Sequence, residues 1–172
     1  MRLLVFSDTH RNTAAMRDII ARERARTDLV IHLGDCYTDL ADIRNDFPQI
    51  AFLGVRGNCD LFASADYPEF NTVTLENQKI YFTHGHMYRV KYTDELLAAV
   101  AARAGASIAL YGHTHRAALR TVGGVTVFNP GSLSEPRGGE VPSYGEIRLE
   151  NGKALFRHIY LENEFAEKEY TL

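Results

Sequence analysis

The sequence has few cysteines and no long apolar run. Among 172 residues there are two cysteines, Cys36 and Cys59, which lie far apart and form no CxxC pair. Neither a disulfide framework nor a zinc knuckle is therefore predicted. The first apolar run, 3–6, is too short for a signal peptide, and no run approaches the roughly 20 residues of a membrane span. We expect a cytoplasmic protein with no membrane-spanning segment.

An excess of positive charge is also missing. The 19 Lys and Arg residues against 22 Asp and Glu residues give a formal net charge of −3. A mildly acidic chain with no basic block is a poor candidate for a stable complex with nucleic acid or for binding an anionic membrane. The same charge would repel a phosphate-bearing substrate unless positive charge were supplied from elsewhere.

The composition that is present is typical of one globular domain. Hydrophobic residues make up 45% of the chain and charged residues 24%, which are ordinary values for a folded protein. The length of 172 residues is close to the roughly 150 residues expected for one domain. We expect residues 1–172 to form a single domain, with the polar tail after residue 161 loosely packed.

Short apolar runs alternate with amphipathic segments, which predicts an α/β fold. The first half contains three buried strands, at 2–6, 29–33 and 50–55. They are separated by a helix that Asn12 caps and by a helix over 38–47, so a parallel sheet with right-handed crossovers is expected. The second half contains a helix over 93–103, capped by Thr93, and three hairpins. The hairpin turns lie at 76–78, 123–124 and 151–152. Two packed sheets follow from this pattern.

Five predicted strands are each followed at once by Asp, Asn or His. The residues in question are Asp8, His10, Asp35, Asn58, His84, His113 and His115. In a parallel or mixed α/β sheet, the carboxyl ends of strands lie along the edge where ligands bind, so we expect these side chains to converge in one crevice. The one-residue spacing of Asp8 and His10, and of His113 and His115, places both members of each pair on one side of an extended segment.

The converging donors are of types that suit divalent metal ions. Carboxylate and imidazole groups together suit borderline ions such as Mn, Fe, Zn, Ni or Co. Each motif alone has an ordinary structural explanation, because an Asp after a strand is usually a turn residue and a lone histidine is usually structural. Their joint occurrence at five strand ends favours a metal site. Such a donor set exceeds the three or four ligands of one zinc and suits two ions that share a carboxylate.

The ordered motifs resemble the calcineurin-like metallophosphoesterase superfamily. They read Asp8-x-His10, Gly34-Asp35, Gly57-Asn58, Thr83-His84-Gly85-His86 and Gly112-His113-x-His115. The short chain and the segments 57–60 and 129–137 resemble the superfamily's small bacterial and archaeal phosphodiesterases of the YfcE type. The resemblance implies a sandwich of two mixed β-sheets flanked by helices. It also implies a hydrolase of small phosphoesters, above all phosphodiesters.

The resemblance further implies a role for each motif residue. Two divalent ions are expected, with manganese preferred and Fe, Ni, Co or Zn as alternatives. One ion would be held by Asp8, His10, Asp35 and His115, and the other by Asp35, Asn58, His84 and His113, with Asp35 bridging. A hydroxide bridging the ions would attack phosphorus in line, so Asp35, Asn58 and His84 are expected to be catalytic.

Cys59 is a departure from the superfamily pattern. Many members carry a histidine after the motif asparagine, where it protonates the leaving group or stabilises the transition state. A thiol, with a pKa of about 8.5, is a poor substitute, so we expect Cys59 to be a small buried apolar residue, with a minor catalytic role as the alternative. His86 is the other candidate for a minor role, through a phosphate oxygen or through support of His84.

Three further possibilities stay open at this point. The same site could serve a phosphomonoesterase or protein phosphatase, although the short chain argues against a large peptide-binding surface. A non-catalytic scaffold on the same fold is a second alternative, as in the retromer subunit of the superfamily. A scaffold can lose its histidine ligands, whereas this sequence retains them. Exposed hairpin edges near Gly123 and Asn151 would allow a homodimer or a higher homo-oligomer.

Overall fold

The computed structural model describes residues 1–60, 67–161 and 167–171, with Tyr37 and the last range described by their backbone alone. Its helices and strands follow in the order β1 (Arg2–Phe6), α1 (Thr13–Glu23), β2 (Leu29–His32), α2 (Tyr37–Arg44), β3 (Ala51–Gly54), β4 (Phe70–Leu75), β5 (Gln78–Thr83), α3 (Glu95–Arg103), β6 (Ile108–Leu110), β7 (Ala117–Val122), β8 (Val125–Pro130), β9 (Ser143–Glu150), β10 (Lys153–Tyr160) and β11 (Glu167–Thr171). Short 3₁₀ turns lie at Arg24–Arg26 and His86–Tyr88.

The strands form two mixed sheets. The six-stranded sheet has the order β11-β10-β9-β1-β2-β3, and the five-stranded sheet has the order β4-β5-β6-β8-β7. In the first sheet β1, β2 and β3 are parallel, and β9 joins β1 antiparallel. In the second sheet β5, β6 and β8 are parallel, and β4 and β7 are antiparallel edge strands. The expected pair of mixed sheets flanked by helices is confirmed.

The main hydrophobic core lies between the two sheets. A further layer of buried side chains lies between each sheet and the helices that cover it. Leu3 and Val5 of β1 point into the core between the sheets, where they meet Phe82 of β5. Leu4 and Phe6 point the other way, into a cluster with residues of α1. Side chains alternate along a strand, so β1 is apolar on both faces because both faces are covered. The second sheet packs against α3 in the same way.

The helix boundaries differ from the predictions in two places. The second helix ends at Arg44, three residues before the predicted end at residue 47, and the chain continues as a turn in which Asp46 N–H donates to Ile43 C=O at 2.9 Å. The third helix begins at Glu95, and Thr93 Oγ1 accepts only the Glu95 N–H, at 3.3 Å. The N-cap position is held by Asp94, whose carboxylate is instead engaged by Arg120 at 3.2 Å.

The tail after residue 161 falls partly outside the described residues. The backbone of Glu167–Thr171 forms a strand that pairs antiparallel with β10 and so covers its outer edge. Residues 162–166 and 172 are not described, and the expected looseness of the tail stays a prediction. β7, beside Gly123, ends the five-stranded sheet, and the homo-oligomer also stays a prediction. None of the helices in the described ranges is long and apolar enough to cross a membrane.

Candidate metal centre

The loops that follow β1, β2 and β6 bring four candidate ligands together. One donor atom from each of Asp8, His10, Asp35 and His115 lies within 4.8 Å of the other three. His10 Nε2 lies 3.5 Å from His115 Nε2, and His115 Nε2 lies 3.1 Å from Asp8 Oδ1. Asp8 and Asp35 are buried, with 0% and 3% of their surfaces exposed. This cluster matches the expected first ligand set residue for residue.

The loops after β3 and β5 supply a second group next to the first. His84 Nε2 lies 3.2 Å from Asn58 Oδ1 and 3.5 Å from Asp35 Oδ2. The rings of His84 and His113 are 5.0 Å apart and meet edge to face. Asp35 therefore lies between the two groups, and all the side chains that the sequence singled out as ligands converge at one edge of the sandwich.

The backbone is strained at most of these residues. Positive φ values occur at Asp8 (52°), His10 (43°), Asp35 (55°), His113 (66°) and His115 (58°). Each residue other than glycine in such a region costs about 1–3 kcal/mol and persists only where the surroundings impose it. Outliers of this kind cluster at functional sites, and here they coincide with the predicted ligands.

Two glycines let the loops pack backbone against side chain. A Cβ built on Gly57 would collide with the Asp35 carboxylate, and one built on Gly112 would collide with the Ser7 hydroxyl. Any other residue at these positions would push the loops apart. The glycines that accompany the Asn58 and His113 motifs are therefore required by the close approach of the loops.

Asp60 joins two of the loops, and the sequence analysis missed its role. Its carboxylate accepts the backbone N–H groups of Gly57 at 2.7 Å, Cys36 at 2.9 Å and Asp35 at 3.1 Å. Only 7% of the residue is exposed. It thus fixes the loop that carries Asp35 against the loop that carries Asn58. The available signal was its place in the Gly57-Asn58-Cys59-Asp60 segment.

A buried chain of hydrogen bonds, called the relay below, supports the loop that carries Asp8 and His10. The Gly34 N–H donates to His32 Nδ1 at 3.2 Å, so the ring proton lies on Nε2, which donates to Thr9 Oγ1 at 2.9 Å. The Thr9 hydroxyl donates in turn to Asp39 at 2.6 Å, which also accepts the Arg11 N–H at 2.9 Å. Complete burial lowers the pKa of His32, so its ring is neutral. Thr9 lies between Asp8 and His10, and the relay holds that loop in place.

The tautomer of His84 is set by a backbone carbonyl. His84 Nδ1 lies 2.8 Å from Leu33 C=O, and because a carbonyl can only accept, Nδ1 carries the proton. In the neutral ring, Nε2 then directs its lone pair at Asn58 Oδ1 and Asp35 Oδ2, which are also acceptors. Acceptors that face one another at this distance repel unless a cation lies between them.

The same arrangement is repeated at His115. Its Nδ1 donates to Glu135 C=O at 2.6 Å, so in a neutral ring Nε2 directs its lone pair at Asp8 Oδ1. That oxygen is buried and has no hydrogen-bond donor among the described residues. The other Asp8 oxygen accepts the Ser7 hydroxyl at 2.6 Å and the His113 N–H at 3.0 Å. The site therefore presents one carboxylate oxygen and one imidazole nitrogen for a shared cation.

The electrostatics of the site without a metal agree with this. Burial would raise the pKa of Asp8, but the contact with His115 and the charges of His84 and His115 lower it to about 2. Burial lowers the pKa of His115, and Asp8 more than offsets this, so the pKa is raised. Burial and the charges of His84 and Lys91 lower the pKa of His113 to about 4. A proton thus takes the place of a cation between Asp8 and His115, whereas His113 is neutral at neutral pH.

The expectation that Cys59 is buried is wrong. Its backbone N–H donates to Asp35 Oδ1 at 2.9 Å, and the residue is exposed. Partial burial is the largest cause that raises the pKa of the thiol, and the hydrogen bond and charge of Asp35 add to it. Together they raise this pKa to about 11. The thiol therefore keeps its proton at neutral pH.

His86 lies beside the ligand groups. Its ring is 5.5 Å from the ring of His84 and 6.2 Å from that of His113. Its Nε2 faces Glu69 Oε2 at 3.8 Å. Burial and the charge of His84 lower the pKa of His86. A neutral ring at this position borders the crevice, and its minor role stays a prediction.

Comparison with known proteins adds an independent finding. A family model described as the calcineurin-like phosphoesterase superfamily domain matches residues 1–152. YsnB of Bacillus subtilis, a probable metallophosphoesterase, is 32% identical over 158 residues, 91% of this chain and 89% of that protein. The phosphodiesterase YfcE of Escherichia coli is 36% identical over 101 residues, 55% of this chain and 51% of that protein. The crystal structure of wild-type Vps29 from Entamoeba histolytica in complex with Zn²⁺ superposes with a TM-score of 0.79 at 24% identity, over 100% of this chain and 98% of that one. At that identity the likeness shows the fold alone.

Proposed function

The chain belongs to the calcineurin-like phosphoesterase superfamily, and from that membership and the geometry of its site we propose that it is a metal-dependent phosphodiesterase. The proposed substrate is a small phosphodiester, and the proposed location is the cytoplasm. A crevice built from the ends of several strands suits a compact ester.

The observation that carries the proposal is the facing of acceptor atoms. His84 Nε2 faces Asn58 Oδ1 at 3.2 Å, and His115 Nε2 faces Asp8 Oδ1 at 3.1 Å. One proton could relieve one such contact. Four donor atoms within 4.8 Å of one another, drawn from two carboxylates and two imidazoles, suit a divalent ion better.

We assign the ligands as two sets that share Asp35. The first set is Asp8, His10, Asp35 and His115, and the second is Asp35, Asn58, His84 and His113. Manganese is the metal we expect, and Fe, Ni, Co and Zn suit the same donors. When bound, two such ions lower the pKa of a water molecule and polarise the phosphoryl oxygens of an ester.

The groups of the chain itself prepare these ligands. Hydrogen bonds from Ser7 and from the backbone of His113 occupy Asp8 Oδ2 and so direct Oδ1 into the crevice. The carbonyl of Glu135 fixes the tautomer of His115. Contacts of this kind hold a metal-ligating histidine in one orientation and raise its basicity.

The residue that follows the motif asparagine Asn58 supports the preference for a diester. Cys59 occupies that position, and a thiol with a pKa of about 11 is a weak proton donor at neutral pH. Hydrolysis should be slowed least by the missing histidine when the leaving group of the ester needs no proton. The phosphodiesterase name of the relative YfcE supports the same choice.

A panel of esters tests the proposal. Hydrolysis of an activated phosphomonoester and an activated phosphodiester is compared with Mn, Ni, Co, Zn and Mg, and we expect the higher kcat/KM for the diester. Asp35→Asn should lower its turnover about a thousandfold or more, because metal ions supply several kcal/mol of transition-state stabilisation. Asp46→Asn, at an exposed ion pair with Arg17, is the matched control. Undiminished hydrolysis by folded, metal-loaded Asp35→Asn would refute the mechanism, and preference for the monoester would refute the substrate class.

A scaffold is the second candidate function, and the fold shared with Vps29 allows it. Metal content after purification without added metal separates the two functions. Fewer than about one ion per chain, together with no Mn-stimulated hydrolysis of either ester, would favour the scaffold. The retained histidines are the reason that we place the enzyme first, since a scaffold does not need this donor set.

A further inference from the structure

A cavity of about 510 Å³ opens beside the candidate metal centre. We call it the basic cavity, because four of its lining residues are cationic and two are acidic. The cations are Lys91, Arg116, Arg120 and Arg137, and the acids are Asp94 and Glu140. This concentration of positive charge stands in a chain whose formal net charge is −3.

The basic cavity borders the candidate metal centre. Thr114, which lines it, lies between the candidate ligands His113 and His115. The Arg137 backbone N–H donates to His115 C=O at 3.0 Å. The charge of Lys91 contributes to the lowered pKa of His113. The cavity therefore borders the loop that carries His113 and His115.

Both acids of the cavity are already engaged. Asp94 is 5% exposed and accepts a hydrogen bond from Arg120 at 3.2 Å. Glu140 Oε2 accepts the Ala117 N–H at 2.7 Å. The remaining cations, Lys91, Arg116 and Arg137, form no ion pair with any residue of the described ranges. These three cations outnumber Glu140, whose charge the neutral Ala117 N–H does not cancel, so the cavity keeps a net positive charge for an incoming anion.

Arg116 is also held in position. A Cβ built on Gly138 would lie 2.8 Å from Arg116 Nε and 3.1 Å from its NH2 nitrogen. The guanidinium group therefore packs against Gly138, a residue whose φ of 75° favours glycine. An arginine placed in this way presents a fork of N–H groups that matches a phosphate.

We propose that the basic cavity binds a second phosphate group of the substrate, with Arg116, Lys91 and Arg137 as its ligands. The phosphodiester cleaved at the metal centre would then be one that carries a further phosphate, as in a nucleoside diester phosphorylated at another position. The proposal rests on the proposed function for the reaction, but the binding of phosphate by the cavity does not depend on it.

Equilibrium binding tests the cavity without the reaction. Inorganic pyrophosphate is titrated into metal-free protein by calorimetry at low ionic strength, where charge interactions are least screened. We expect Arg116→Gln and Lys91→Gln each to raise the Kd about tenfold, the usual cost of losing a charge-assisted hydrogen bond. Lys153→Gln, at an exposed cation on the other sheet, should leave it unchanged. Failure of the wild-type protein to bind, or equal binding by Arg116→Gln, would overturn the proposal.

Kinetics with metal-loaded protein tests the substrate class. Bis(p-nitrophenyl) phosphate is compared with thymidine 3′-phosphate 5′-(p-nitrophenyl phosphate), which releases the same leaving group but carries a second phosphate. We expect Arg116→Gln to lower kcat/KM about tenfold for the second ester and less than about twofold for the first. An equal loss of kcat/KM for both esters would show that Arg116 does not bind the second phosphate.

The two tests fail in different ways. If neither ester is cleaved, the proposed function is wrong, and the pyrophosphate titration still decides whether the cavity binds phosphate. If pyrophosphate binds through Arg116 but the phosphate-bearing ester is not preferred, the cavity is a site for free anions and the substrate class is overturned.

Discussion

Replacing Asp60 by Asn tests whether the two loops of the metal centre are held together as described. Asp60 Oδ2 accepts the N–H groups of Gly57 and Asp35, and Oδ1 accepts that of Cys36. Asparagine has one acceptor oxygen, so in its best orientation it serves the first two donors and turns its own NH₂ towards the third. One buried N–H is left unsatisfied, and two charge-assisted hydrogen bonds become neutral ones.

The magnitude follows from these losses. An unsatisfied buried donor costs about 1–3 kcal/mol, and each of the two weakened bonds loses about 1 kcal/mol. We expect Asp60→Asn to lower the free energy of unfolding by about 3–5 kcal/mol. The loops that carry Asp35 and Asn58 would also lose their common anchor, so the affinity for Mn²⁺ should fall about 10- to 100-fold, as is usual when a residue that supports metal ligands is changed.

Urea denaturation of the metal-free protein and calorimetric titration with Mn²⁺ measure the two effects. Asp28→Asn is the matched control, because Asp28 is exposed and accepts a single backbone N–H, from Arg2 at 2.7 Å. It should change stability by less than about 1 kcal/mol and leave Mn²⁺ affinity unchanged. If Asp60→Asn were within about 1 kcal/mol of wild type, the anchoring role would be refuted.

Three more predictions concern the groups around the ligands. Because Asp8 raises the pKa of His115 above 6.5, a proton held below that raised pKa competes with the metal. Mn²⁺ affinity should rise with pH up to the raised pKa and then level off, and a flat pH profile in calorimetric titrations would contradict this. Thr9→Val removes a hydroxyl that bonds both His32 and Asp39. It should lower the free energy of unfolding, measured by urea titration, by about 2–4 kcal/mol. Thr72→Val, on a partly exposed edge strand, is the control. Cys59→Ser should leave kcat for an activated diester within about threefold, because a thiol with a pKa of about 11 supplies no acid or base at neutral pH; a hundredfold loss would show a direct role.

The fold and the candidate ligands were readable in the sequence because both depend on short-range patterns. Apolar runs such as Leu3–Phe6 mark strands that are buried on both faces, and the polar residue after each run marks the edge of the sheet. The parallel arrangement then brings distant residues such as Asp8 and His115 together with no knowledge of the loops.

What the sequence could not reveal depends on contacts between loops that are far apart in the chain. Asp60 gives no sign that its three N–H partners lie on two loops, and Asp39 gives no sign that it ends a relay from His32. The hydrogen bond from the Cys59 N–H to Asp35 is another contact between distant loops. The cap of the third helix was predicted at Thr93 and lies at Asp94. The sequence gives no sign of the contact between Asp94 and Arg120, which lies on β7.

The distribution of charge changes what the acidic composition means. A net charge of −3 argues against broad anionic partners, because a nucleic acid needs a large basic face. It does not argue against one small anionic ligand, since four cationic side chains outnumber two acidic ones in a single cavity. Asp8 and Asp35, two of the buried negative charges, face the position where a cation is expected. In the proposed holoenzyme the metal ions and the basic cavity would therefore place positive charge at two neighbouring positions, which favours a compact ester with more than one phosphate over a neutral one.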